Sequence, residues 1–221
     1  MKRFMYMVLA IIIISLGVSF MRLSNLGTDP FNCMNLGVSS HLPISYGTYQ
    51  MLFNIVLFIP LVKLKPSIWG AGAIANMFLS AYCVDGFMAI LRYAGITIDA
   101  IGSYFWIRVF ILLLGIIFMC LGAALYIECD MGIAAYDALG QIIEEKTDGK
   151  LKYKMIRIIT DCSCIMIGFL TGSVVSVGTI IGAFFTGPLI SRIRYVIVEK
   201  GLLDDKTTKD YILIKRKDVL F

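Results

Sequence analysis

Two opposite charges lie close together in a segment that is otherwise apolar. Arg157 and Asp161 are four residues apart within MIRIITDCSCIMIGFLT, residues 155–171, and this spacing places both side chains on one face of an α-helix. A charged side chain at the centre of a bilayer costs roughly 2.5–3.5 kcal/mol on insertion scales, so such charges are usually paired or functional. Three interpretations stay open: a structural ion pair, a buried acid that binds a cation or proton, or an arginine that holds an anion.

Other polar side chains at related places in the chain extend this pair into a candidate site. Asn54 lies at the matching place in an earlier apolar segment. Asn32 and Asp137 lie in two decapeptides that resemble each other, LGTDPFNCMN and MGIAAYDALG. A few convergent polar groups in an apolar setting are typical of a small-molecule site. The predicted substrate-binding residues are Asn32, Asn54, Asn76, Asp137, Arg157 and Asp161.

Catalytic and metal chemistry have little support in the sequence. The six cysteines form no C-x-x-C pair, and His41 is the single histidine, so we expect no metal site and no disulfide framework. Gly70-Ala71-Gly72 continues as an apolar segment, which is not the context of a nucleotide fingerprint. No nucleophile, base and orienting residue can be assembled. We therefore expect neither an enzyme nor a cofactor.

The composition is that of a membrane protein. Of 221 residues, 59% are hydrophobic and 16% are charged, with a mean hydropathy of +0.85, whereas soluble domains average about 45–50% apolar and about 25% charged residues. A helical span needs roughly 17–25 apolar residues. The sequence predicts six spans, at residues 5–21, 44–62, 66–84, 109–127, 155–171 and 174–191.

Basic residues flank these spans on alternate sides. They precede the first span, follow the second, precede the fifth and follow the sixth, and positively charged loops stay in the cytoplasm. We therefore expect both termini in the cytoplasm, with the tail at 199–221 against the anionic inner leaflet. The net charge of +5 belongs to these flanks, so we expect no nucleic-acid partner.

The chain contains an internal repeat. With an offset of 105, Gly27 matches Gly132, and Asn32 matches Asp137; with an offset of 106, Gly72 matches Gly178. Each half holds three spans, and an odd number forces the second half to enter the membrane from the other side. The predicted fold is therefore an all-α integral membrane protein of two inverted repeats, 1–100 and 101–198, an architecture common in secondary transporters.

Each repeat is predicted to contain a short interfacial or re-entrant helix after its first span. Asp29-Pro30 is a helix-start signal, because aspartate caps free amides and proline tolerates the first helical position. Helices are expected at about residues 30–40 and 133–146. The uncharged run from 162 to 191 should divide at Gly172-Ser173, and Pro188 should loosen the inner end of the last span. Pro60 is expected to have the same effect near the inner end of the second span.

These motifs resemble those of the YczE/YyaS/YitT group of small bacterial integral membrane proteins. The resemblance lies in Leu16-Gly17, Leu26-Gly27-Thr28-Asp29-Pro30, Leu121-Gly122, Met131-Gly132 with Asp137, and Gly178-Thr179 leading to Gly187-Pro188-Leu189-Ile190. It implies a multi-pass protein of the bacterial plasma membrane, of a group described as transporters or without an assigned activity.

Three functions compete. The first is a secondary transporter or exporter of a small molecule with its site at the repeat interface, in contact with membrane lipids and working as a homodimer. The second is a substrate-binding membrane subunit that needs an ATP-driven partner. The third is a non-transporting protein that binds lipid or assists a membrane enzyme. The sequence does not identify the substrate, the direction of transport or the coupling ion.

Overall fold

The computed structural model describes residues 2–66, 70–102 and 104–199, and within these ranges the regular structure is entirely helical. The ten helices are α1 (Lys2–Ser24), α2 (Pro30–Ser39), α3 (Tyr46–Leu64), α4 (Ala71–Tyr93), α5 (Ile98–Gly102), α6 (Phe105–Cys129), α7 (Ala135–Lys146), α8 (Tyr153–Leu170), α9 (Val177–Phe184) and α10 (Thr186–Glu199). One π-helical turn, Asn76–Ser80, lies inside α4. The predicted tail at 199–221 falls almost wholly outside the described residues.

Four of these helices, α1, α3, α4 and α6, are long and apolar enough to cross a bilayer. The pair α9 and α10, bent by 54°, can provide a fifth crossing. Helix α8 corresponds to the predicted fifth span, but its 18 residues include Lys154, Arg157 and Asp161. The outer faces carry large exposed apolar side chains, such as Trp106 at 79% exposure, as expected of a lipid-facing surface. The all-α membrane class is confirmed, with four to five candidate spans.

Two helices extend past charged residues that the sequence analysis treated as limits. The predicted third span ends at residue 84, yet α4 continues to Tyr93, because Asp85 accepts a hydrogen bond from the Gly47 amide at 2.8 Å. The predicted fourth span begins at residue 109, yet α6 begins at Phe105. Arg108 donates from Nε to the Ser24 carbonyl at 2.8 Å and from Nη2 to the Asn25 carbonyl at 2.7 Å. Partners from distant segments thus keep both charges inside helices.

Helices α1 and α6 pack against each other through glycine. A Cβ atom built on Gly17 would lie 2.7 Å from the Gly115 carbonyl oxygen, and one on Gly122 would lie 2.7 Å from the Ile14 amide nitrogen. Such close backbone approach is what small residues permit in membrane helix pairs, where dispersion packing provides the stabilisation. This pair forms the centre of the bundle.

The two short helices form as predicted. Asp29 caps α2 by accepting from the Asn32 amide at 3.2 Å, and Pro30 occupies the first helical turn. Helix α7 begins at Ala135 after Ala134, which provides no side-chain cap. A glycine with positive φ precedes each helix: φ is +95° at Gly27 and +116° at Gly132.

The predicted division near Gly172 and the loosening at Pro188 are both confirmed. Helix α8 ends at Leu170, Gly172 has φ of +77°, and α9 begins at Val177. The last span breaks between Phe184 and Thr186, where Pro188 cannot donate to the carbonyl four residues earlier. Helix α3, in contrast, continues through Pro60.

Candidate functional site

A cluster of charged and aromatic side chains joins α7 to α8. We name it the Arg157 cluster, and its members are Tyr136, Asp137, Arg157 and Asp161. Arg157 donates from Nε to Asp161 Oδ2 at 3.3 Å and from Nη1 to Asp137 Oδ1. The Tyr136 hydroxyl donates to Asp161 Oδ1 at 2.5 Å, and the Arg157 guanidinium carbon lies 4.6 Å from the Tyr136 ring centroid. One guanidinium group is therefore held by two carboxylates and an aromatic face.

Exposure within the Arg157 cluster is graded. The Asp161 side chain is 9% exposed, that of Arg157 36%, and that of Asp137 46%. The Arg157–Asp161 contact is consequently the protected part of the cluster, while Asp137 is the member that a solute could displace. A structural ion pair would need only one carboxylate. Arg157 has two, so a solute could replace Asp137 while Asp161 still pairs with the guanidinium.

A second polar network lies beside the first, at the start of α2. We name it the Asp29 network, formed by Asp29, Asn32 and Tyr46. The Asn32 amide nitrogen Nδ2 donates to Asp29 Oδ2 at 2.5 Å, and the Tyr46 hydroxyl donates to Asn32 Oδ1. The charge of Asp29 interacts with those of Arg157 and Asp161. These interactions are smaller than the effect of burial, which raises the pKa of the Asp29 carboxyl.

Aromatic rings in tilted contact connect the helices that carry these networks. The ring centroids of Phe31, on α2, and Tyr136, on α7, are 4.7 Å apart, and those of Phe31 and Phe53 are 6.0 Å apart. Aromatic contacts at such distances favour offset or tilted arrangements worth about 0.5–1.5 kcal/mol beyond burial. The N-terminal turns of α2 and α7 therefore meet at this point.

The predicted site residues are only partly brought together. Asp137, Arg157 and Asp161 share one cluster, and Asn32 lies in the adjoining network. Asn54 is 8% exposed, and its amide has no partner among the described residues. Asn76 begins the π turn, where its carbonyl accepts from Ser80 Oγ at 2.5 Å. No described contact joins Asn54 or Asn76 to the other four, and the substrate-binding role of all six stays a prediction.

The sequence analysis missed Tyr136, Tyr46 and Gln50 as members of this region. Gln50 lies one turn before Asn54 on α3, is 7% exposed, and has no hydrogen-bond partner for Oε1 in the described chain. A signal for it exists: an offset of 107 aligns Tyr46 with Tyr153, Gln50 with Arg157 and Asn54 with Asp161. The second half therefore has Asp, Arg and Asp where the first has Asn32, Gln50 and Asn54.

A cavity of about 440 Å³ lies next to the Asp29 network. We name it the Arg22 cavity. It is bordered by the end of α1, the connection between α2 and α3, and the second half of α4; its lining includes Arg22, Tyr46, Asp85 and Arg92. Tyr46 belongs both to this lining and to the Asp29 network. The Arg22 cavity is thus an open cleft that adjoins the Asp29 network.

One further ion pair fixes the helix bundle. Arg194 on α10 donates from Nε to Glu128 Oε1 on α6 at 2.6 Å, and the Glu128 side chain is 2% exposed. The pair holds the bent last span against the central helix. Paired charges and a lipid-type outer surface on several apolar helices define the class: this is a multi-pass helical membrane protein.

The chain belongs to a family of unknown function, DUF6198, which matches residues 1–195. It is similar to the uncharacterized protein YyaS of Bacillus subtilis strain 168, with 22% identity over 91% of this chain and 96% of the relative. It is also similar to the uncharacterized membrane protein YczE of the same organism, with 24% identity over 81% of this chain and 80% of the relative. A Haemophilus influenzae protein shares 24% identity over 90% of this chain and 89% of its own. The resemblance to YyaS and YczE is confirmed; no solved structure matches.

Proposed function

We propose that the protein is a secondary transporter of a small molecule, built from two inverted three-helix repeats with the substrate site at their interface. The observation that carries the proposal is the Arg157 cluster: a guanidinium and two carboxylates from two helices, on the face that one half of the chain presents to the other. Intramembrane ionisable groups mark substrate or ion pathways by default. On this proposal there is no enzymatic step and no cofactor.

Two related hydrogen bonds support the inverted repeat. The Gly72 amide donates to the Met131 carbonyl at 2.7 Å, and the Gly178 amide donates to the Leu26 carbonyl at 2.8 Å. The offset of 105 matches Leu26 to Met131, and the offset of 106 matches Gly72 to Gly178. The two bonds therefore join equivalent pairs of residues. Each bond joins the last span of one half to the loop before the short helix of the other half, as a two-fold axis requires.

Backbone conformation supports the same relation. Asn25 and Asp130 both have positive φ, 51° and 49°, and they are 105 residues apart, as are Gly27 and Gly132. Non-glycine residues rarely adopt this region. The same unusual turn therefore recurs at equivalent positions of the two halves.

The short helices pack against the opposite halves. A Cβ atom on Gly168 of α8 would lie 2.8 Å from Cys33 Sγ on α2, while Ala135 and Ala138 of α7 pack with Phe58 of α3. Phe31 and Tyr136, which are at equivalent positions of the proposed repeat, are in tilted ring contact. The polar networks consequently lie where the halves meet, which is where repeat-built transporters bind substrate.

The proposal includes a location and partners. We place the protein in the bacterial plasma membrane with both termini in the cytoplasm, surrounded by lipid and working as a homodimer. The sequence supports the orientation through its basic flanks. The exposed apolar side chains of α6, such as Phe110 at 61%, support lipid contact.

Flux in liposomes tests the proposal. Wild type, Asp161→Asn and Asp99→Asn would be reconstituted at equal density and challenged with amines, carboxylates, sugars and inorganic ions on solid-supported membranes. Asp99 is exposed on α5 with no described partner, so its variant is the matched control. We expect flux of at least one class, lost in Asp161→Asn and kept in Asp99→Asn. Wild-type flux in Asp161→Asn would exclude a direct role for the cluster.

Two other outcomes would point to the competing functions. A stable ATPase that co-purifies, with flux only in its presence, would identify a substrate-binding subunit. Absence of flux and of any thermal shift with the whole panel would favour a non-transporting protein. Gel filtration of each variant separates loss of function from loss of folding.

A further inference from the structure

The Arg22 cavity has an excess of positive charge. Arg22 and Arg92 line it, and Asp85 is the one carboxylate among its lining residues. The Asp85 carboxylate is already engaged through Oδ2 by the Gly47 amide at 2.8 Å. Its Oδ1 lies 3.8 Å from Arg22 Nη1, which is too long for a hydrogen bond.

The guanidinium groups also have unused donors. Arg22 Nη1 is buried and has no hydrogen-bond partner among the described residues. Arg92 is exposed and forms no ion pair within the described chain. The hydroxyls of Ser39 and Ser40 donate to carbonyls of their own helix, and that of Tyr46 donates to Asn32. The Ser45 hydroxyl lies 3.1 Å from that of Thr48, so the charged donors of the cavity without a hydrogen bond to the described residues are on its two arginines.

Structural roles explain part of this arrangement. Arg22 lies over the Tyr46 ring, with its guanidinium carbon 5.3 Å from the centroid. Arg92 lies in the last turn of α4, where a positive charge stabilises the helix dipole. Neither role uses the unpaired Arg22 nitrogen or requires a cavity, and a buried donor without a partner costs about 1–3 kcal/mol. An acceptor in the cavity would contact the exposed part of this side chain, which is 29% exposed, and would supply the guanidinium with a counter-charge.

We propose that the Arg22 cavity binds an oxyanion, a carboxylate or a phosphate, between Arg22 and Arg92. Guanidinium groups bind such anions through paired, charge-assisted hydrogen bonds. The cavity volume of about 440 Å³ falls within the range of about 300–1,000 Å³ of small-molecule pockets. The anion is either a soluble metabolite or the headgroup of an anionic lipid, since both present the same oxygens.

This site is separate from the Arg157 cluster and does not rest on the transport proposal. The two are connected through Tyr46, which lines the cavity and donates to Asn32. Binding is measured at equilibrium without flux, so failure of one proposal leaves the other standing.

Equilibrium binding of defined probes tests the proposal. Delipidated protein in neutral detergent would be titrated with sodium phosphate, acetate and benzoate by calorimetry, at ionic strength held constant with sodium chloride. Native mass spectrometry would compare phosphatidylglycerol with phosphatidylcholine. The variants are Arg92→Gln, Arg22→Lys, which keeps the charge, and the control Arg192→Gln, at an exposed position on α10 that does not line the cavity.

We expect one probe to bind, with an affinity at least about tenfold weaker in Arg92→Gln and unchanged in Arg192→Gln, from the loss of a charged hydrogen bond. Arg22→Lys should weaken binding as well, because lysine lacks the planar fork. Binding of phosphate or a carboxylate identifies a soluble ligand, and retention of phosphatidylglycerol alone identifies a headgroup. If no probe binds, or if all variants bind equally, the proposal is wrong.

Discussion

Removal of both carboxylates of the Arg157 cluster should destabilise the protein more than the sum of the single changes. In Asp161→Asn or Asp137→Asn alone, Arg157 keeps one carboxylate partner. Asp137 is nearly half exposed at 46%, so its loss should cost about 1 kcal/mol or less. Asp161 is 9% exposed, and its loss should cost about 1.5–3 kcal/mol, the range for hydrogen bonds to charged groups.

The double variant removes both carboxylates that contact the Arg157 guanidinium, whose side chain is 36% exposed. Breaking a fully buried pair costs about 3–5 kcal/mol, which is an upper limit for this partly exposed guanidinium. The second loss leaves the guanidinium without a carboxylate partner, so we expect the double variant to lose more stability than the two single variants together, by more than the additivity error of about 0.3–0.5 kcal/mol. For a chain of 221 residues, each kcal/mol lowers the melting temperature by about 2–4 °C.

Thiol reactivity provides the assay. Cys33, Cys120 and Cys129 are free and fully buried, so a maleimide dye reports their exposure on heating in detergent. Cys162 is exposed and would be replaced by alanine in every variant to lower the baseline. Adding Arg157→Gln to the double variant should recover stability, because it removes the unpaired charge. Additive losses, or no recovery in the triple variant, would refute the argument.

Two further predictions test the scaffold. Gly17→Ala or Gly122→Ala should each lower the melting temperature by several degrees, because the new Cβ would meet backbone atoms at under 3 Å. The control is Gly86→Ala, which has open space around it and should be neutral or stabilising by up to about 1 kcal/mol. Equal melting temperatures of all three variants would contradict the close packing of α1 and α6. For topology, reporter fusions at residues 65 and 173 should report opposite faces of the membrane. Reporters on the same face would exclude the inverted repeat.

Local signals in the sequence were sufficient for several elements. Asp29 and Pro30 begin α2, Gly172 divides the long apolar run, and Pro188 accompanies the 54° bend. Each of these features depends on backbone chemistry within a few residues: a cap, a positive φ or a missing amide hydrogen. Short-range chemistry of this kind is present in the sequence itself.

Long-range partners were not predictable in the same way. The extension of α4 to Tyr93 depends on the Gly47 amide meeting Asp85, and the early start of α6 depends on Arg108 meeting the end of α1. The Arg157–Asp161 pair was anticipated from its helical spacing, whereas its third partner, Asp137, comes from another helix. A contact between distant segments needs the fold before it can be inferred.

In the proposed repeat, the two halves have similar backbones and different charges, and this difference constrains the proposed mechanism. Asn32, Gln50 and Asn54 in the first half correspond to Asp137, Arg157 and Asp161 in the second. The triple variant Asp137→Asn, Arg157→Gln, Asp161→Asn would therefore give both halves the same neutral set. Because the first half already accommodates that set, the triple variant should fold. If the charges serve only to hold α7 against α8, it should also retain flux.

If the charges bind substrate or a coupling ion, the triple variant should fold but show no flux. Alternating access by inverted repeats moves one half relative to the other around a fixed site. Here only the second half contributes charged residues to the site. An unpaired charge in a dry interior is costly. The protein should therefore favour the conformation in which these residues are hydrated or bind a substrate or ion. Substrate or ion binding would then offset this bias, which couples occupancy to conformation. Flux from a folded triple variant would show that the asymmetry has no part in transport.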